Sequence, residues 1–463
     1  MMSSFALFAP PNFLNDLLLK LCDEQETVNY VVWPFIQIGA VVTLVAVWAL
    51  YASYLERKIS AFMQARLGPM RVGKWGLLQP IADAVKLITK EDLVPEKADP
   101  YIFRYAPYIS VAATFITFSV IPFAPNWGVI TDVNIGLLFV LSISSVGVLA
   151  LILAGWSSNS KYALLGGLRS SAQMVSYEVS MGLSLIGALM FARTLSLSGI
   201  TAAQSADSVW FILYQPLAFV IFLISGIAEN NRAPFDLPEA ESELVAGFHT
   251  EYSGMRWSLF FMAEYAAMVV VAAVATTVFL GGWYFPFVLR VAGGYNNLYV
   301  FLSLVVFMVK MAVLLYLYFW LRWTFPRYRY DQLMDLGWKW MIPASLLNIV
   351  WTAVTVFAVQ ALDAARGGAA GSVALRVNSL FGAGESGDRF VTSLSRGLNL
   401  TPAGKLTAVA FGAAGLFIAA LFLGYLNRHT RDFNLKKQRR QIRLVDVPKG
   451  APAVATTAAA SEG

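Results

Sequence analysis

Hydrophobic residues along this chain come in long, unbroken runs instead of the short periodic patterns of a water-soluble domain. Five runs, Val28–Leu55, Tyr105–Thr131, Val133–Ser160, Tyr265–Leu289 and Leu406–Asn427, contain no charged residue. Each exceeds the roughly 20 residues with which a helix crosses a bilayer core. Backbone polar groups find no water inside lipid, so such runs must be helical. The pattern predicts nine spans, at 32–54, 105–124, 135–155, 173–192, 209–228, 259–282, 299–321, 340–360 and 404–426. Glu178, Glu264 and Lys310 fall inside the fourth, sixth and seventh, and Lys405 opens the ninth.

The connecting segments alternate in charge. Of the 34 Lys and Arg residues, 25 lie in the odd-numbered loops and the C-terminal segment, seven lie in the N-terminal segment and the even-numbered loops, and two are inside spans. That alternation supports the span count and predicts an outside N-terminus and a cytoplasmic C-terminus. Composition agrees, with 58% hydrophobic and 13% charged residues against about 25% charged in a soluble domain. The expected fold is an all-α membrane protein, a polytopic bundle of about nine transmembrane helices with one interfacial amphipathic helix. Its parts are an outside segment (1–31), an eight-span core (32–360), a Gly/Ala-rich outside loop (361–403), a ninth span (404–426) and a basic tail (427–463). The interfacial helix lies between Trp75 and Lys90, where Leu77, Leu78, Ile81, Val85 and Ile88 recur at helical spacing in a stretch too short and too charged to span.

Rare residues exclude chemistry. The single cysteine, Cys22, can form neither an internal disulfide nor a four-thiolate cluster site. The two histidines, His249 and His429, lie outside the long apolar runs, so no intramembrane bis-histidine haem is expected. There is no glycine-rich dinucleotide fingerprint and no phosphate-binding loop. No basic residue precedes Lys20, so neither a signal nor a transit peptide is expected. No metal ligands, no catalytic residue and no nucleic-acid partner are expected for this chain.

The segment Ala228–Gly254 breaks the charge rule. It carries six acids (Glu229, Asp236, Glu239, Glu241, Glu243, Glu251) against Arg232, on the side where bases should dominate. Asp236 can cap a helix with Pro238 in its first turn. Glu239 and Glu243 then share a face, where like charges repel and raise one another's pKa. A solvated acidic loop is the plain alternative. The run abuts a span, however, and Glu178, Glu264 and Lys310 also need company, because a charge at the bilayer centre costs about 2.5–3.5 kcal/mol on insertion scales. One way to meet that need is an ion pair between Lys310 and a nearby Glu. Together these residues read as a proton or ion pathway.

Five segments in order carry a resemblance: ERKISAFMQARLGPMRVGKWGLLQPIADAVKLITKED (Glu56–Asp92), GWSSNSKYALLGGLRSSAQMVSYEVSMGL (Gly155–Leu183), the acidic segment, FFMAEY (Phe260–Tyr265) and FPRYRYDQLMDLGWK (Phe325–Lys339). Over roughly residues 30–360 the chain resembles the H-subunit family of proton-pumping NADH:quinone oxidoreductase, respiratory complex I. The resemblance implies an inner-membrane subunit that lines a quinone chamber with other membrane and hydrophilic subunits and couples quinone reduction to proton translocation. Quinone would be the substrate, with NADH, FMN and iron–sulfur clusters in partner subunits. It further implies a chamber wall at Glu56, Arg57, Arg66, Asp83 and Lys86, a quinone-side loop at Arg232, Phe235 and Asp236, and a proton path through Glu178, Glu229, Glu239, Glu241, Glu243, Glu251 and Glu264. Lys310 joins that path by its place in an apolar span. Met70 departs from the Asn common in the family's turn, and the ninth span with the 361–403 loop lies beyond the common eight-span core.

Two other functions fit the bare architecture: the equivalent subunit of a membrane-bound hydrogenase-type complex, and a stand-alone secondary transporter. The first loop favours the quinone enzyme over the former, and the lack of internal repeats and of paired broken helices weighs against the latter. The sidedness is directly testable. In sealed membranes, protease on the cytoplasmic face should cut near Lys436–Arg443, and protease on the outer face should cut within 361–403; the reverse would overturn the nine-span topology.

Overall fold

Each of the nine predicted spans contains helix. The computed structural model describes residues 32–125, 130–236, 245–285, 297–365, 405–422 and 424. In chain order the helices are α1 (Trp33–Met63), α2 (Gln79–Thr89), α3 (Pro100–Thr117), α4 (Gly136–Ser157), α5 (Lys161–Ala192), α6 (Leu197–Asp207), α7 (Phe211–Tyr214), α8 (Pro216–Glu229), α9 (Gly254–Phe279), α10 (Asn297–Thr324), α11 (Tyr330–Asp335) and α12 (Ile342–Ala365). A final helix, α13, covers Lys405–Phe422. Among the described residues no strand occurs, and seven helices are long and apolar enough to cross a membrane. The chain is an integral membrane protein with a polytopic helical fold.

Three departures from the hydropathy pattern matter. First, α1 does not stop near residue 54 but continues to Met63, so Glu56 and Arg57 stand on helix and not in a loop. Second, α5 starts at Lys161, well before residue 173. Third, the fifth span is two helices broken at Gln215, where Pro216 cannot continue the hydrogen-bond ladder. The break is wired into a buried polar network. Gln215 donates to Thr352 at 2.8 Å and accepts from Asn348 at 3.1 Å, so its amide is satisfied away from water.

Helix α9 is the axis of the bundle. It packs on α1, α2, α3, α6, α8 and α10, and every residue from Met268 to Phe279 is buried. A helix apolar on all sides belongs in such a position. Helices α3, α4 and α5 pack in succession beside it, and α5 also packs on α8 and α12. Asp99 caps α3 by accepting from the Tyr101 and Ile102 amides at 3.0 and 3.3 Å. The helix expected between Trp75 and Lys90 appears as α2, with Ile81, Val85 and Ile88 exposed on it and Leu77 and Leu78 exposed just before it.

The chain divides into two compact units, Met1–Gly415 and Leu416–Gly463. Within the first, the Trp351 indole donates to the Phe411 carbonyl at 2.9 Å. The described part of the second is the end of α13. The segments 1–31 and 427–463, and the 361–403 loop beyond Ala365, lie outside the described residues.

Close approach of α4 and α5 requires glycine. A Cβ on Gly155 would lie 2.8 Å from the Ala163 carbonyl oxygen and 3.3 Å from the Gly167 Cα. Gly155→Val should therefore force the helices apart at a cost of about 1–3 kcal/mol, the usual range for overpacking. The check is a lower yield and melting temperature of the membrane-extracted protein. Gly182→Ala, where a Cβ meets nothing within 4 Å, should leave both unchanged.

Candidate functional site

Glu56 is the least expected carboxylate in the fold, because it is 5% exposed at a position that hydropathy assigns to a loop. Three donors hold it. Arg322 from α10 forms a close ion pair with one oxygen. Arg232 reaches the other at 3.4 Å, and the Tyr265 hydroxyl donates to that same oxygen at 2.6 Å. Arg232, 5% exposed, also pairs closely with Glu264 on α9, and its guanidinium lies 4.2 Å from the centre of the Tyr265 ring. Two cations and two anions thus neutralise one another at the junction of α1, α9, α10 and the loop after α8. Buried charges are tolerable only when paired and hydrogen-bonded in this way.

The loop that carries Arg232 is clamped at both ends. Gln173, fully buried on α5, donates to the Ala228 carbonyl and to the Phe235 carbonyl, both at 2.8 Å. Phe235 sits between Tyr177 and Tyr328, with ring centroids 5.7 and 5.5 Å away. Asp236 accepts from Arg327 at 2.9 Å, and the Tyr328 amide donates to the Pro234 carbonyl at 3.0 Å. The helix expected after Asp236 falls on residues outside those described; Asp236 itself is an ion-pair partner.

Three cavities adjoin one another around this node. The largest, about 520 Å³, is lined by Glu56, Arg57, Ser60, Arg66, Arg232, Trp257, Phe261, Glu264, Tyr265, Arg322 and Trp323. A second, about 210 Å³, lies between α1, α2 and α9 and shares Arg57, Trp257 and Phe261 with the first. A third, about 100 Å³, reaches inward between α3, α4 and α9 and shares Glu264 with the first. Its wall includes Ser144, Glu229, Asn230, Asn231 and His249. Glu229 is hydrogen-bonded by Ser144 and is an electrostatic neighbour of Glu178, and the Ser145 hydroxyl bonds closely to Glu178. The carboxylates therefore run Glu264, Glu229, Glu178 away from the large cavity.

The remaining expected residues divide. Arg57 and Asp83 pair at 2.6 Å and tie α1 to α2. Arg66 lines the large cavity and bonds Gln64 at 2.7 Å, while Lys86 is exposed on α2. Glu251 is half-buried in the turn before α9. Glu239, Glu241 and Glu243 lie outside the described residues. Lys310 is not brought to the carboxylates: its ammonium donates to the carbonyls of Leu280, Gly282 and Tyr284 at 2.7, 2.9 and 2.9 Å, and sits 4.8 Å from the Trp210 ring centre. A Lys310–Glu ion pair is absent among the described residues. Three donors meet three carbonyls at the end of α9, where the helix dipole favours a cation.

Arg322, Arg327, Tyr265 and Gln173 belong to the site without standing out in the sequence. Both arginines read there only as sidedness charges. Gln173 is visible as an amide entering an apolar run, which in lipid must find partners. Among the described residues, no group of three or more His, Cys, Asp or Glu is placed to hold a metal ion.

Comparison with known proteins places the chain in a family. Residues 36–353 match the family model described as NADH dehydrogenase. The chain is 47% identical over 410 residues to an H subunit of the NADH-quinone oxidoreductase of Koribacter versatilis, covering 74% of this chain and 96% of that protein. It is 49% identical over 346 residues to an H subunit of the same enzyme from Geobacter metallireducens (71% and 96%), and 45% identical over 327 residues to one from Rhizobium meliloti (69% and 95%). The family match ends before α13 begins.

The clamp predicts a local effect independent of any activity. Gln173→Leu leaves the Ala228 and Phe235 carbonyls without their donor, and an unsatisfied buried group costs about 1–3 kcal/mol. Amide hydrogen exchange in 228–236 should rise about tenfold or more while α9 exchange stays unchanged. Equal exchange in both proteins would show that the loop is held by other contacts.

Proposed function

The chain belongs to the NADH dehydrogenase family that includes the H subunits of bacterial NADH-quinone oxidoreductases, and we propose from this that it is the membrane subunit of such an enzyme that forms part of the quinone chamber and passes protons onward from it. The observation that carries the reading is the position of Glu264. It lines both the large cavity and the small one, and it is joined through Arg232 to Glu56, which also lines the large cavity.

The chain's own groups suit each stage. Exposed apolar residues of α2 and the 210 Å³ cavity beside it form a path from the lipid for an isoprenoid quinone, with Arg57 and Asp83 fixing α2 against α1. The large cavity offers aromatic faces at Trp257, Phe261 and Trp323 for a flat ring, and guanidinium groups for its oxygens. Partner subunits contain the FMN and iron–sulfur clusters that deliver electrons from NADH. Reduction of quinone to quinol consumes two electrons and two protons, and it changes the charge next to the Glu56–Arg232–Glu264 set. Arg232 cannot hold both carboxylates equally once that charge shifts. A weaker hold on Glu264 makes it a better proton acceptor, and Glu229 and Glu178 continue the route inward. Glu239, Glu241, Glu243 and Glu251 supply protons from the same loop. The complex sits in the bacterial inner membrane, N-terminus outside, with its other membrane and hydrophilic subunits around the chamber, and 32–360 is the working core.

The test uses the intact complex in vesicles. Glu264→Gln, Glu229→Gln and Glu178→Gln keep shape and one hydrogen-bonding end but cannot titrate. Each should leave NADH:ferricyanide activity nearly intact and lower NADH:quinone turnover and proton pumping about fivefold or more. Loss of assembled complex with normal pumping by what remains would reduce these carboxylates to helix-packing groups. Arg57→Ala should hurt turnover of long-tailed quinone more than of short-tailed quinone.

A further inference from the structure

Resting on that proton path, we propose that Tyr318 is a positioning residue for Glu229: its hydroxyl, carried on α10, holds the open oxygen of that carboxylate through one buried water. Tyr318 is 4% exposed and stands within an otherwise apolar stretch of α10.

A glycine makes the seat for the hydroxyl. A Cβ on Gly226 would lie 2.8 Å from the Tyr318 hydroxyl oxygen and would also strike Val271, which lines the small cavity. The hydroxyl therefore rests against the backbone of α8 where a side chain would otherwise stand. Gly226 and Glu229 are three apart on α8, and residues so spaced share a helix face. Tyr318 and Glu229 are accordingly electrostatic neighbours.

The two groups are buried without a hydrogen bond between them. Among the described residues the Tyr318 hydroxyl and Glu229 Oε2 have no protein partner, and neither has either amide atom of Asn230, the next residue, 3% exposed. Polar groups that are neighbours but lie beyond direct hydrogen-bond reach call for a water between them. There is room for one: Glu229 and Asn230 line the small cavity of about 100 Å³, and a water needs about 10–15 Å³ on this measure.

The phenol donates to this water, the water donates to Glu229 Oε2, and the Asn230 amide completes the water's shell. Ser144 bonds the same carboxylate from α4, so Glu229 is held from two sides and keeps one orientation. A proton reaches it from the water, which gives one to Oε2 and takes another from the cavity side, one O–H bond broken and one made. The phenol keeps its own O–H bond throughout. Arg322, which pairs with Glu56, is four residues further along α10 and on the same face. One helix thus holds Glu56 at the large cavity and, through the water, Glu229 at the small one.

The experiment uses the intact complex in vesicles, with assembly scored by NADH:ferricyanide activity and pumping expressed as protons per quinone reduced. Tyr318→Phe removes one oxygen and keeps the ring; it should assemble normally and lower the ratio to about one third or less. In a Glu229→Gln background the same change should lower it no further, since a residue that acts through Glu229 loses its effect once that carboxylate cannot titrate. Asn230→Leu, which removes the water's other partner, should match the Phe variant. Full pumping in Tyr318→Phe or in Asn230→Leu would overturn the proposal, and so would a further loss in the double variant. A higher melting temperature for Tyr318→Phe would overturn it too, because it would mark the hydroxyl as an orphan with no water. If Phe does not assemble, Tyr318→Leu takes its place with the same expected pumping. Glu229→Gln alone separates the two readings: full pumping there removes the proton path, whereas lowered pumping there with full pumping in Tyr318→Phe removes only Tyr318.

Discussion

The organisation of this protein depends on burying charge inside a bundle that otherwise excludes it. Glu56, Arg232, Glu264 and Arg322 come from four separated parts of the sequence, and any one of them alone would be costly in so apolar a place. Their mutual pairing lets α1 continue past the predicted membrane edge, draws the end of α10 against it and pulls the loop after α8 across the face of α9. All four residues line the large cavity, and Glu264 lines the small one as well. Site and fold are here the same problem: the charged groups that line the large cavity also tie its walls together.

Glu264 has two neighbourhoods. Toward the large cavity it is bound by Arg232; toward the small one it faces hydroxyls, amides, His249 and Glu229. A carboxylate with an arginine on one side and a second cavity on the other is sensitive to whatever alters the arginine. Gln173 contributes from outside the charged set, because the spacing of its two carbonyl acceptors shapes the loop that carries Arg232.

The architecture is legible in the hydropathy runs because lipid leaves the backbone no choice but helix. What the runs conceal is backbone detail that hydropathy does not sense. Pro216 lies in the fifth predicted span and breaks it, yet its neighbours are as apolar as those of any continuous span. The end of α1 is hidden because Glu56 and Arg57 look like loop residues until their partners, 176 and 26 residues away, are known. Glu178 and Glu264 are recognisable because a charge in an apolar run is rare. Arg322 is not, since an arginine at a span edge usually reports only sidedness. Lys310 stands out by the same rarity as Glu178, but its partners are carbonyls, which carry no mark in a sequence. His249 counts in the sequence only as one of two histidines, and its burial against Phe248 and Phe260 has no mark there.

The three carbonyls that receive Lys310 bear on how the chain enters the membrane. Leu280, Gly282 and Tyr284 immediately follow α9 and are made before α10 leaves the ribosome. A lone lysine near the middle of a helix opposes insertion by about 2.5–3.5 kcal/mol. Its acceptors become available only when the preceding helix has already crossed and turned. The sixth and seventh spans are therefore suited to entering as a hairpin, the ammonium sheltered by the turn that precedes it, and the apolar helix that later becomes the axis of the bundle first serves as escort for a charge.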